Sequence, residues 1–138
     1  MNIKKLDWPH NMKTNGFFSD FPVLGSNAML YRKFRKILGC RTEQCLTDWP
    51  DKYVRSQVRI ELSDCISQYF DWPNSFFLPN DNIGVLTWDP SMDMRDVDFG
   101  LYLEKKYGVN VHIEPKMDFM QFINKVKISN TSPFFSVN

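Results

Sequence analysis

The chain has 138 residues, 43% of them hydrophobic and 15% aromatic, enough to bury one core without disulfide or metal staples. No apolar run approaches the roughly 20 residues a membrane helix requires, and Met1 to Trp8 lacks the hydrophobic stretch of a secretory signal. The expectation is a single cytoplasmic domain with no membrane contact. The net charge of +1 hides an asymmetry: residues 1–50 hold eight Lys/Arg against four Asp/Glu, and residues 51–107 hold six against ten.

In chain order, residues 1–27 read as an irregular leader, with Pro9, Gly16, Pro22 and Gly25 around an aperiodic cluster of Phe17, Phe18 and Phe21. A basic helix is predicted over 28–38. Leu30, Phe34, Ile37 and Leu38 form its apolar side, Arg32, Lys33, Arg35 and Lys36 the other, and Gly39 sits at the C-cap. A turn-like junction leads to residue 51. The strongest helix follows at 52–70, with Val54, Val58, Leu62, Cys65, Ile66 and Tyr69 inward and Arg55, Arg59, Ser63 and Gln68 outward; Pro73 stops it.

A loop of 16 residues, 75–90, is expected to pack by its own Ile83, Val85, Leu86 and Trp88. A helix over 92–107 places Val97, Phe99, Leu103 and Tyr107 on one side, carries Asp93, Asp96 and Asp98 in its first turns, and ends at Gly108. Val109, Val111 and Ile113 alternate too briefly for a strand. A last helix over 117–126 shows Phe119, Met120, Ile123 and Val126, and 128–138 is a tail.

Motifs of catalysis are absent from the sequence: there is no phosphate-binding glycine pattern, no GxSxG and no HExxH. Cys40, Cys45 and Cys65 have no zinc spacing and read as small apolar residues in a reducing compartment. Asp89, Asp93, Asp96 and Asp98 are the densest carboxylate group, but they lack the Gly and Glu places of a calcium loop and read as acids at a helix start. Neither a metal nor a cofactor is expected. The basic helix, with Tyr31 and Phe34, is a weak footprint for nucleic acid in a near-neutral chain.

Over 52–127 the order of elements resembles the acyl carrier protein family, in particular divergent bacterial carrier-like proteins with an aspartate-rich segment in place of the attachment motif. The resemblance rests on Leu103, Glu104 and Tyr107 in the family's Leu-Glu-acidic-acidic-Phe string, with Phe99 and Val97 at its apolar places and Met94 at the Leu of its Asp-Ser-Leu motif. The resemblance implies a small, mainly α helical bundle with an N-terminal extension: leader 1–27, basic helix and junction 28–51, carrier-like domain 52–127, tail 128–138. It also locates a departure, because Asp93 stands where the family carries the phosphopantetheine serine. A carboxylate cannot form that phosphodiester. Ser91 could take the group only with two extra residues before Leu103, which turns Val97 and Phe99 about 200° from the core.

The expected function is therefore a non-enzymatic carrier-like domain without prosthetic group, whose acidic helix (Asp93, Asp96, Asp98 and Glu104) docks a protein partner with a basic surface. The alternatives are a genuine carrier modified at Ser91, or an immunity or antitoxin protein that blocks a toxin with the same surface.

Overall fold

The computed structural model describes residues 4–9, 24–88, 95–111, 113–114 and 116–131; for 24–28, 95–98 and 129–131 it describes the backbone alone. Among these residues it holds six α-helical stretches and one 3-10 helix, with one isolated β-bridge, Asn82 to Asp118, and no strand.

Helix α1 runs over Leu24–Gly39 and buries Leu30, Phe34 and Leu38. It starts four residues before the expected helix, so 24–27 belong to it rather than to the leader. Gly39 is not its left-handed cap; among the described glycines only Gly108 takes a positive φ, 66°. The 3-10 helix Glu43–Asp48, capped by Thr42, leads to the short α2, Asp51–Val54. Helix α3, Gln57–Tyr69, then starts on Ser56, whose hydroxyl accepts from Arg59 N at 3.4 Å.

The helix expected over 52–70 is thus two, broken at Arg55–Ser56. That break corrects the outward placement of Arg59 and Ser63, both of which are buried. Arg59 donates Nε to Tyr53 O (2.9 Å), which also accepts from Ser56 N, and Nη2 to Val54 O (2.8 Å), so its guanidinium caps the C-terminal carbonyls of α2. Arg55 and Gln68 are exposed, as the periodicity predicts. After α3, Asp71 adopts φ 57° and Trp72 N donates back to Ser67 O at 3.0 Å, closing a Schellman-type end.

Of the loop residues expected to pack, Ile83, Val85 and Leu86 are buried and Trp88 is half-buried; with Phe77 they join the core shared with the helices. The loop contains one turn of helix, α4 (Ile83–Leu86), capped by Asn82. Helix α5 is described over Arg95–Tyr107, and Gly108 N donates to Glu104 O at its end. Helix α6, Phe119–Thr131, outlasts its predicted end by five residues. Asp118 and Gln121 close a reciprocal capping box at its start (2.8 and 2.9 Å). Its first amides, Phe119 N and Met120 N, donate to Asp81 O and Pro79 O, which joins α6 to the long loop.

Helices α5 and α6 pack against α3. Leu62, Ile66, Phe99, Leu103 and Ile123 meet in one cluster, as their stripes predict. Phe99 lies edge-on to Phe70, with centroids 5.8 Å apart. Beside them, Tyr107 Oη donates to Glu61 Oε2 at 2.7 Å, which ties the end of α5 to α3.

Candidate functional site

The outer side of α5 is set by what its inner side buries. Phe99, Leu103 and Tyr107 point into the core, so Leu101, Glu104, Lys105 and Lys106 are turned outward. Glu104 is exposed, as expected. Leu101, three residues before it and therefore a neighbour on the helix surface, is 55% exposed. Leu101 and Glu104, with Tyr69, Tyr102, Lys105 and Lys106, line an open groove of about 640 Å³. Tyr69 and Tyr102 are half-buried, their rings 6.2 Å apart, and form its apolar floor.

Of the acidic residues singled out in the sequence, Asp96 and Asp98 lie within the described backbone of α5, in its first turn. Asp93 and the alternative Ser91 lie outside the described residues, as does the cluster Phe17, Phe18 and Phe21. The far end of the same helix is not acidic. Lys105 and Lys106 stand at the two places where the resembled string has acids, and Lys106 Nζ lies 3.5 Å from Glu61 Oε1. The Glu61 carboxyl is held below the usual range, first by the hydrogen bond from Tyr107. The acidic character of α5 therefore belongs to its first turns, and its last two turns offer an apolar shelf with mixed charge.

The basic face of α1 is partly as expected. Arg32, Lys33 and Lys36 are exposed. Arg35 instead reaches across to Asp71, donating to its backbone oxygen and lying 3.9 Å from its carboxylate. Tyr31 and Phe34 point away from that face: Tyr31 Oη donates to Phe70 O at 2.8 Å and Phe34 is buried. A stacking platform for bases is not built there.

No group of three or more His, Cys, Asp or Glu among the described residues is arranged to hold a metal ion. The cysteines are free; Cys45 and Cys65 are buried like other small apolar residues, while Cys40 is exposed. Burial pushes the Cys65 thiol up to about 12.

One polar constellation was not legible in the sequence. Asp81, fully buried, receives Arg41 Nη1 (2.6 Å) and Nη2 (2.8 Å), Leu78 N (2.7 Å) and Leu6 N (2.8 Å). Arg41 donates further to Phe76 O and Lys4 O. Apart from Leu78, three residues before Asp81, these partners are 35 to 75 residues apart, and no local pattern announces them.

The fold and surface define a small, mainly helical bundle, none of whose described helices is long and apolar enough to cross a membrane. No family model, curated protein or solved structure matches the chain.

Proposed function

We propose that the protein is a non-enzymatic, carrier-protein-like domain that works without a prosthetic group, by docking a protein partner on the outer side of α5. The observation that carries this reading is Leu101. A large apolar side chain more than half exposed, over a floor of two tyrosines, is the composition of an interface centre, where aromatic and apolar groups give affinity and charges at the rim give specificity. Glu104 beside Leu101 supplies an acidic edge for a partner with a basic surface, and in the sequence Asp93, Asp96 and Asp98 add to the negative charge of this segment. The replacement of the attachment serine by Asp93 supports action without phosphopantetheine.

Two measurements test the two halves of the proposal. Incubation with a phosphopantetheinyl transferase and coenzyme A leaves the intact mass unchanged; a phosphopantetheine gained at Ser91 restores the true-carrier alternative. Affinity capture from native cells at low salt, run with the wild type and with the Leu101→Ser, Asp96→Lys, Glu104→Lys variant, should lose its specific partner in the variant. Equal capture by both proteins removes α5 as the docking face.

A further inference from the structure

The N-terminal segment Lys4–Pro9 lies across the body as a strap without regular secondary structure, and its contacts are those of a bound peptide. One residue is read through its main chain: Leu6 N donates to Asp81 Oδ1 (2.8 Å), and Leu6 O accepts from Asn82 N (2.8 Å). Two side chains are read by burial. Leu6 is fully buried, and Trp8, 6% exposed, lies edge-on to Trp88 and Phe34 with centroids 5.1 and 5.9 Å away. Gly84 lies against the indole, with an ideal Cβ there in ordinary van der Waals contact 3.5 Å from Trp8 Nε1. Main-chain bonds for affinity and pockets for alternate side chains are the mode by which folded domains capture short peptides.

Most of the receiving half is held from outside the strap; the exception is Arg41 Nη2, which also donates to Lys4 O (2.8 Å). Asp81 is fixed by Leu78 N and by both terminal nitrogens of Arg41, and Arg41 is fixed in turn by Phe76 O. Without the strap those bonds would keep their partners, while Arg41 Nη2 would lose Lys4 O, Asp81 Oδ1 the Leu6 amide, the Asn82 amide the Leu6 carbonyl, and Phe34 and Trp88 the indole. A buried ion pair held this way is preorganised for an incoming main-chain N–H.

We infer that the groove between α1 and the 78–88 loop is a peptide-binding site for protein segments bearing a leucine and a tryptophan two residues apart, occupied in cis by Leu6 and Trp8. A tethered ligand acts at an effective concentration near millimolar, so a partner segment gains the site when the strap is weakened or drawn away. This site is separate from the α5 face, and its failure leaves that reading untouched.

The test uses the full chain and a labelled peptide of residues 4–9, Lys-Lys-Leu-Asp-Trp-Pro. Anisotropy should show the Trp8→Ala chain binding this peptide at least tenfold more tightly than the wild type, and the same peptide carrying Leu6→Asp should not bind. Absence of binding to the folded Trp8→Ala chain overturns the inference. A dimer formed by mutual strap exchange, with no peptide uptake, also overturns it, in favour of a second copy as occupant. If Trp8→Ala fails to fold, amide exchange of the wild type decides. The Leu6 and Asn82 amides should exchange at least tenfold faster than those of Leu62 to Ile66, through local opening. Exchange at the same rate as that core means the strap leaves only on global unfolding, which sinks the site.

Discussion

Ser63 is buried in the middle of α3, and its Oγ has no hydrogen-bond partner among the described residues. A hydroxyl removed from water without a partner costs about 1–3 kcal/mol by mutational measures. Alanine keeps the helix and removes that oxygen. Ser63→Ala should therefore raise the urea midpoint, by about 0.5–1 kcal/mol of stability; a loss of stability of similar size would show that the hydroxyl is satisfied. At this scale the sequence was half legible. The period of 3.6 placed Leu62 and Ile66 in the core correctly but sent Arg59 and Ser63 outward. Periodicity assumes one partner surface, and here the broken start of α3 and the bodies of α5 and α6 cover more than one side of it.

Among the elements, α3 ends with unusual backbone at its cap. Asp71 sits at φ 57°, in the left-handed region that glycine occupies without a Cβ penalty. Its backbone oxygen accepts from Arg35 whatever the side chain, and the exposed ion pair with Arg35 contributes little. Asp71→Gly should stabilise the protein by up to about 1 kcal/mol, less the entropy that glycine adds to the unfolded chain. Thermal unfolding checks this, and a lowered Tm would mean the carboxylate matters more than the φ angle. Helices α1, α3, α5 and α6 were all visible as stripes, because their cores are satisfied by spacing within one segment. The strap and the Asp81 cluster were not, because both depend on residues brought together from 40 to 75 positions away. The site was legible to a similar degree: Glu104 emerged as an exposed acid, whereas Leu101 drew no attention, since exposure of a single leucine has no signature in sequence.

For the whole molecule, pH is the clearest handle. Burial raises the Cys65 thiol to about 12, and it raises Cys45, Tyr102 and Tyr107 in the same direction. Each of these groups binds its proton more tightly folded than unfolded. Stability is therefore complete below the ordinary thiol range near 8.5 and falls as pH rises beyond it, when the unfolded chain releases protons that the native state keeps. Denaturation between pH 7 and 11 should show this decline, and Cys65→Ala should make it shallower relative to its own value at pH 7. An unchanged slope would mean that Cys65 ionises in the native state as easily as in the unfolded one.

The Arg41–Asp81 pair alters what the molecule presents to ions at a distance. Its cation belongs to the surplus of residues 1–50 and its anion to the deficit of residues 51–107, so burying the two together removes one charge from each side. The pair thus cancels one unit of the +4 and one of the −4 counted along the chain, and the exposed contact of Arg35 with Asp71 draws the same two halves together again. The long-range field is thus that of a weaker dipole than the linear charges imply. Over distances beyond the roughly 8 Å screening length of physiological salt, approaching molecules are steered less by opposed basic and acidic ends than by the local charge of whichever helix they meet.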